Sequence, residues 1–225
     1  MRLVILLLFV VLSSAAAENP PRVLVLAGTV HRQATQAAAK ELEGRVRFEY
    51  PKEYHIGDTG AVLENLDKLL GDKEWDLIYF NFGFSDLHYR DPSIKSIRAM
   101  SKSAGGVRVS TPERYERNLR QIVEGLLASK TKMVWASTTP IESSQHDNLL
   151  DPGSEIEFNE IASEIMKEHD IPIIDMHTWI LENVENKRDS SPFAYNRIVI
   201  HPPIVAAVLE QLSLPASAEV TPKSQ

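Results

Sequence analysis

The 225-residue chain contains no cysteine. This absence excludes a disulfide framework, a lipid-modified cysteine anchor, a cysteine nucleophile and a metal site with thiolate ligands. Basic residues are also in deficit, with 24 Lys and Arg against 31 Asp and Glu, so the formal net charge is −7. An acidic chain is a poor candidate for binding nucleic acid or an anionic membrane surface. Composition therefore predicts neither a disulfide-stabilised scaffold nor a nucleic-acid-binding protein.

The one long apolar run, Leu3–Leu12, is too short to cross a bilayer comfortably. It follows a basic start and precedes small residues that end at Ala17, a pattern typical of a secretory signal peptide; an uncleaved N-terminal anchor is the alternative. We expect residues 1–17 to be the signal peptide, residues 18–214 to form one domain and residues 215–225 to form a disordered tail. The mature protein is then exported, periplasmic or secreted, without membrane association after cleavage.

Beyond this run, apolar segments alternate with segments of helical periodicity. Five segments rich in Val, Ile and Leu are predicted to be strands buried on both faces: Arg22–Ala27, Arg45–Tyr50, Asp76–Phe82, Lys132–Ser137 and Ile171–Met176. Four segments with apolar residues at helical spacing are predicted helices: Gly60–Leu70, Pro112–Ala128, Ser154–His169 and Pro203 to Leu212. This alternation predicts a doubly wound α/β domain with a parallel sheet.

A connection between predicted elements, residues 90–110, is longer than an ordinary turn and carries five basic residues against one acid. Long connections in compact domains are usually functional or disordered. Two interpretations stay open for this segment. It is either a solvated surface insertion or a mobile flap that attracts an anionic group of a substrate.

Histidines follow each of the five predicted strands, and another precedes the last helix: His31, His55, His88, His146, His177 and His201. Ligands of open parallel sheets bind beyond the carboxyl ends of the strands, where these side chains gather. One interpretation is hydrolysis with a histidine as base. Another is a metal site formed by His31, His88 and either Asp86 or His201, but no pair has the spacing of a local ligand motif, so no metal is predicted. The third is that these histidines are ordinary loop residues.

Four segments taken in order, WDLIYFNFGFSDLHY, TPERYERNLRQIV, KMVWASTTPI and FNEIASEIMKEHDIPIIDMHTWI, resemble the SGNH (GDSL-like) hydrolase superfamily. The resemblance is closest to its exported, bacterial, esterase-like branch. It implies a three-layer, flavodoxin-like α/β fold with strand order 2-1-3-4-5. It also implies hydrolysis of a small-molecule ester or carbohydrate-like substrate by a Ser-His-Asp triad without a cofactor. The oxyanion would be bound by the serine N–H, a glycine and an asparagine.

The catalytic blocks of the family are incomplete in this chain. The Gly-Asp-Ser block after the first strand falls on Gly28-Thr29-Val30, so only the glycine matches. The Asp-x-x-His block falls on the four residues from Ile198 to His201, so the histidine is present and its carboxylate partner is replaced by Ile198. Valine has no nucleophilic atom, and isoleucine cannot orient an imidazole.

The two oxyanion blocks are better preserved. Either Gly57 or Gly60 fits the glycine of the second block. The Gly-x-Asn-Asp block falls on Gly83-Phe84-Ser85-Asp86, so the glycine and the aspartate match while Ser85 replaces the asparagine. Ser85 can donate a hydrogen bond to an oxyanion, although its reach is shorter than that of asparagine.

We therefore expect a catalytically degenerate esterase homologue that binds a small acyl- or carbohydrate-type ligand. The predicted oxyanion and binding residues are Gly28, Gly57, Gly83, Asn81, Asp86 and His88. The first alternative is an active O-acyl ester hydrolase with a displaced nucleophile, Ser85 or Thr29, and His201 as base. The second alternative is an extracytoplasmic metal- or partner-binding module.

Overall fold

A computed structural model of the chain describes residues 19–51, 56–94, 98–142, 148–185 and 199–216. The predicted signal peptide and all of the predicted tail after residue 216 lie outside these ranges, as do His55, His146 and Ile198. Within the described ranges, no helix is long and apolar enough to span a membrane.

The strands of the described chain are β1 (Arg22–Ala27), β2 (Arg47–Glu49), β3 (Leu77–Asn81), β4 (Tyr89–Arg90), β5 (Val107–Arg108), β6 (Lys132–Ala136) and β7 (Ile173–Ile174). Five of them form a parallel sheet in the order β2-β1-β3-β6-β7. Counted within this sheet alone, the order is 2-1-3-4-5, so the predicted topology is confirmed. The register pairs Ala27 with Asn81, which brings the carboxyl ends of β1 and β3 level with each other.

The helices of the described chain are α1 (Thr29–Glu41), α2 (Thr59–Glu64), α3 (Leu66–Leu70), α4 (Pro112–Ala128), α5 (Ser154–Glu168), α6 (Met176–Asn183) and α7 (Pro202–Gln211). Helix α4 has the predicted bounds because Thr111 caps it by accepting a hydrogen bond from the Arg114 N–H, and Pro112 occupies its first turn. The single helix predicted over Gly60–Leu70 is instead two helices, which meet at Asn65.

Helices cover both faces of the sheet, which gives the expected three layers. Helices α2 to α5 bury one face around large side chains such as Phe80, Trp135 and Phe158. Helices α1, α6 and α7 bury the other face, where Tyr79 and Val134 lie in the sheet. Because both faces are covered, β1 and β3 are buried without alternation, as parallel strands usually are. The edge strand β2 carries Arg47 and Glu49 and is only partly buried, so the predicted burial of this segment on both faces was wrong.

The basic connection folds, over its described part, into the antiparallel pair β4–β5. Tyr89 Oη donates to Asp151 Oδ2 at 2.7 Å, and Arg108 Nη2 donates to the same oxygen at 2.6 Å. Lys102 forms an ion pair with the other oxygen. Although partial burial opposes the shift, the hydrogen bonds from Lys102, Tyr89 and Arg108 lower the pKa of Asp151 to about 2. The cations Lys102 and Arg108 therefore pair with a carboxylate of the same chain, Asp151.

Candidate functional site

A cavity of about 140 Å³ opens at the carboxyl edge of the sheet, where β1, β3 and β6 end. Its wall combines apolar groups with hydroxyl, amide and imidazole groups. The lining residues are Gly28, Thr29, Val30, His31, Ile56, Asn81, Phe84, Ser85, His88, Thr138 and Thr139. This carboxyl-edge cavity lies where ligands of open α/β sheets bind.

The first turn of α1 forms one wall of the cavity. Gly28 is the N-cap, and within the described chain no side chain caps this helix end. Arg32 N–H donates the first intrahelical hydrogen bond, to the Gly28 carbonyl at 2.9 Å. The three preceding N–H groups, of residues 29–31, therefore lack an intrahelical acceptor, and they carry the positive end of the helix dipole.

His31 lies on the same turn with a side chain that is almost completely buried. Its Nδ1 lies 2.7 Å from Tyr79 Oη, and its Nε2 is buried. Burial lowers the pKa of His31 to about 4, and a hydrogen bond with the backbone of Ser137 opposes this shift with a smaller effect. The imidazole is therefore neutral at pH 7, which makes it a weak base but leaves it able to donate or accept a hydrogen bond.

Asn81, at the end of β3, lines the cavity and forms hydrogen bonds with β6 and with Thr138. Its Nδ2 donates to the Ala136 carbonyl at 2.9 Å and approaches Thr138 Oγ1 at 3.3 Å. The Thr138 backbone is held in turn by Asn159, whose Oδ1 accepts from the N–H at 2.8 Å and whose Nδ2 donates to the carbonyl at 2.9 Å. The predicted binding residue Asn81 thus lines the cavity, with its amide nitrogen engaged in joining β3 to β6.

The turn after β3 contributes Ser85 and His88 to the cavity, as expected, together with Phe84. Gly83 sets this turn, with φ of 140°. A Cβ on Gly83 would lie 3.2 Å from Thr138 Oγ1 and 3.3 Å from Tyr115 Oη, so the position combines a backbone that favours glycine with a close approach. His88 Nδ1 lies 3.0 Å from the Phe84 carbonyl, which fixes the ring against its own turn.

Asp86 was predicted to be an oxyanion or binding residue, but it does not line the cavity. It is fully buried, and its carboxylate accepts hydrogen bonds from Thr59 N–H at 2.9 Å, Thr59 Oγ1 at 2.6 Å and Ser110 Oγ at 2.6 Å. Burial raises the pKa of Asp86 to about 6, against the effect of these hydrogen bonds. Asp86 therefore joins its turn to α2 and to the segment before α4, and any effect on a ligand is indirect.

The glycines expected in the second block are also outside the cavity wall. Gly60 lies in the first turn of α2, where its N–H donates to Asp58 Oδ1 at 2.9 Å. Gly57 does not line the cavity, whereas its neighbour Ile56 does. The oxyanion role expected for Gly57 therefore has no counterpart in the lining.

His201 is not in the cavity, which corrects its expected role as base. Its Nε2 lies 3.0 Å from Glu41 Oε2. Glu41 ends α1, whose first residue, Thr29, is about 18 Å away at 1.5 Å per residue. The packing of α7 on α1 therefore directs His201 to the far end of α1, too distant from Val30 or Ser85 for proton transfer.

The residues weighed as metal ligands in the alternative interpretation are not brought together, since no group of three or more His, Asp or Glu side chains among the described residues is arranged to hold a metal ion. His177 lies in a separate depression of about 300 Å³, with its Nε2 3.2 Å from Glu155 Oε1.

The role of Tyr79 as the partner of His31 was not predicted from the sequence. The apolar spacing of Val30, Ala34 and Ala38 was the available signal that a helix starts at this turn.

Strand order defines a doubly wound, flavodoxin-like α/β fold, with the cavity at the carboxyl edge of its sheet. No family model matches the sequence, and no curated protein matches it. Solved structures, in contrast, do match this chain. The acetyl xylan esterase AlAXEase superposes with a TM-score of 0.57 at 12% identity, over 83% of this chain and 99% of that protein.

Two further solved structures have the same fold. A GDSL-like lipase from Bacteroides thetaiotaomicron gives a TM-score of 0.58 at 12% identity, over 84% of this chain and 88% of its own. Axe2, an acetylxylan esterase from Geobacillus stearothermophilus, gives a TM-score of 0.59 at 11% identity, over 88% of this chain and 97% of its own. Catalytic mutants of Axe2 replace a serine or a histidine by alanine. At these identities the comparison establishes the fold of this chain, which is the one predicted.

Proposed function

We propose that this protein is exported and binds a small acyl- or carbohydrate-type ligand in the carboxyl-edge cavity without efficient turnover. One observation carries the proposal: the cavity wall has Val30 at the position where the family pattern has its nucleophile. In addition, no carboxylate occurs among the described lining residues. Export rests on the N-terminal sequence pattern alone.

The lack of turnover follows from the chemistry of the groups present. Triad catalysis needs a nucleophile, a base within hydrogen-bond reach and an acid that orients the base. Val30 offers no nucleophile, and His201 is paired with Glu41 at the other end of α1. His31 is close to the cavity, but its lowered pKa makes it a weak base.

Ligand binding is supported by the mixed character of the wall. Val30, Ile56 and Phe84 provide apolar surface, while hydroxyl groups and the first turn of α1 provide hydrogen-bond donors. Small-molecule sites commonly combine an apolar lining with a few convergent polar groups. Acetylxylan esterases among the structural neighbours support an acylated carbohydrate as the first ligand to test.

A second candidate function is hydrolysis of O-acyl esters by a displaced nucleophile. The observation in its favour is that Thr29 and Ser85 line the same cavity as His31 and His88. With His201 excluded by distance, the base in this mechanism is one of those two histidines.

Calorimetric titration with an acetylated xylo-oligosaccharide tests binding. An added Cβ at Gly28 meets no atom within 4 Å and the backbone there is extended, so larger side chains are tolerated at this position. We expect Gly28→Leu to abolish binding by filling the cavity mouth and Gly28→Ala to retain it. Equal binding by both variants would place the ligand elsewhere and refute the proposal.

Hydrolysis of p-nitrophenyl acetate separates the two candidate functions. We expect the purified mature protein to be no faster than a Thr29→Val/Ser85→Ala double variant. Turnover that disappears in that double variant would establish the displaced-nucleophile hydrolase instead. Turnover that disappears in His201→Ala would contradict the site as placed here, and zinc retained through dialysis but lost in His31→Ala would favour a metal-binding module.

A further inference from the structure

Resting on the proposed function, we infer that Asp86 is a positioning residue of the carboxyl-edge cavity and acts by holding two lining segments in register. One segment is the turn after β3, which contributes Phe84 and Ser85 to the wall. The other is the approach to α2, which contributes Ile56 and leads into Thr59, the first residue of that helix. Ionised Asp86 joins these two segments, so its protonation weakens ligand binding.

The contact between the two segments is built from a buried carboxylate and three donors. Asp86 Oδ2 accepts from the Thr59 N–H at 2.9 Å, and Oδ1 accepts from Thr59 Oγ1 and from Ser110 Oγ, both at 2.6 Å. Thr59 is itself fully buried, and its Oγ1 also accepts from Asn118 Nδ2 at 3.2 Å, so α4 helps to fix the contact. Because Asp86 and Thr59 both lie close in sequence to lining positions, movement at this contact changes the spacing of the cavity wall.

Protonation of Asp86 changes this contact because a neutral carboxyl group has one oxygen that donates. An ionised carboxylate only accepts, which suits the three donors around it. A proton on either oxygen therefore requires one of the three hydrogen bonds to reverse or break. Among the described residues, Thr59 makes every hydrogen bond between residues 56–59 and the turn at residues 83–88. A weakened contact is thus not replaced by another one between these segments.

The surroundings of Asp86 bring this change into an accessible range of pH. Burial raises the pKa of Asp86 to about 6, the hydrogen bonds from Ser110 and Thr59 oppose the shift, and the charge of nearby Asp58 adds to it. The other titratable or charged groups that face this cluster are Arg114 and Tyr115 of α4 and His88 of the same turn. Asp86 is therefore mostly ionised at pH 7, with its three hydrogen bonds intact, and mostly neutral below pH 6.

The test is calorimetric titration with the acetylated xylo-oligosaccharide between pH 5.0 and pH 8.0, using the unaltered protein, Thr59→Val and Thr59→Ser. We expect the affinity of the unaltered protein to fall about tenfold as the pH decreases through 6. Thr59→Val removes one donor to the ionised carboxylate, so the midpoint of this fall should lie about one pH unit higher. Thr59→Ser keeps both donors and should follow the unaltered protein. A purely structural role would lower stability without moving the midpoint.

His88 lines the cavity and can also titrate, so His88→Gln is the control for the origin of the pH dependence. It should keep a midpoint near pH 6 whatever its affinity, whereas Asp86→Asn should bind weakly at every pH. A midpoint lost in His88→Gln, or one that is the same in Thr59→Val as in the unaltered protein, would overturn the inference and leave the proposed function standing. Absence of binding by the unaltered protein at every pH would overturn both.

A measurement without substitutions keeps the inference testable if the variants do not fold. The ¹³C carboxyl resonance of Asp86 in the unaltered protein should titrate near pH 6 without ligand. With saturating oligosaccharide its midpoint should lie about one pH unit lower, because a ligand that prefers the ionised arrangement makes protonation harder. The backbone amide resonances of Ile56 and Ser85 should change with the same midpoints. Equal midpoints with and without ligand would overturn the positioning role, although the ligand binds.

Discussion

The buried imidazole of His31 makes the free energy of unfolding depend on pH. Its folded pKa of about 4 lies below the ordinary 6.5, so between these values the unfolded chain binds a proton that the folded chain does not. Stability from this residue is therefore complete above pH 6.5 and decreases as the pH falls toward 4. At 1.36 kcal/mol per pKa unit, the full loss is about 3 kcal/mol.

Asp86 acts in the opposite direction over nearly the same range. Its folded pKa of about 6 lies above the ordinary 3.8, so the folded chain binds the proton first as the solution is acidified. Stability from Asp86 therefore increases as the pH falls from 6 toward 3.8, by about 3 kcal/mol in total. With both residues intact, the two contributions nearly cancel between pH 6 and pH 4.

Urea unfolding of the unaltered protein, His31→Gln and Asp86→Asn at pH 7.0, 6.0, 5.0 and 4.5 would reveal the cancellation. Between pH 7.0 and 4.5 we expect His31→Gln to gain about 2 kcal/mol relative to the unaltered protein, because Asp86 then acts unopposed. Asp86→Asn should lose about 2 kcal/mol over the same range. The change with pH is the measured quantity, since either substitution also alters stability at neutral pH through lost hydrogen bonds.

His169→Gln, at a histidine outside the cavity, is the control and should follow the unaltered protein. Groups that are not substituted contribute equally to every curve, so only differences between curves are interpreted. Parallel curves for all four proteins would refute the reasoning, because they would mean that neither buried group changes its proton affinity on folding. A change in only one variant would identify which of the two groups is buried as described.

Two substitutions test the geometry of the site. Gly83→Ala should lower the free energy of unfolding by about 1–3 kcal/mol in urea unfolding, because φ of 140° and the contacts with Thr138 and Tyr115 both disfavour a Cβ; a loss below that of Gly28→Ala would contradict it. His201→Ala should change stability by at most about 1 kcal/mol, since its partner Glu41 is largely exposed. His201→Ala should also leave the ligand affinity, measured by calorimetry, unchanged. A tenfold weaker affinity would show that His201 is part of the site.

The fold could be predicted because its signals are local. Strand β1 and helix α4 have the predicted bounds, the strand because it is continuously apolar and the helix because of its Thr111-Pro112 start. Helix α1 was not predicted, since its buried face is built from small residues such as Ala34 and Ala38, which give little apolar contrast. The break at Asn65 was missed because apolar periodicity continues through it.

The candidate site could be predicted only where position along the chain fixes position in space. Parallel strands end at one edge, so Gly28, Asn81 and Ser85 were expected together and do line one cavity. His201 lies after the last strand, and its location depends on how α7 crosses α1, which no local pattern encodes. The burial of His31 likewise depends on a partner, Tyr79, that is 48 residues away in sequence.

Under the proposed function, the first turn of α1 accounts for ligand binding without efficient turnover. Val30 is buried and belongs to the apolar core between α1, α7 and the sheet, so its side chain holds the helix on the sheet. Serine at this position would replace that packing with a hydroxyl that still lacks a basic partner, because His201 is at the far end of α1 and His31 is neutral and weakly basic. The free N–H groups of the turn do not depend on that side chain and remain available to a hydrogen-bond acceptor of a ligand. In this chain, therefore, packing of residue 30 and hydrogen bonding by the backbone are compatible, whereas triad catalysis with a nucleophile at residue 30 would require changes at several separate positions.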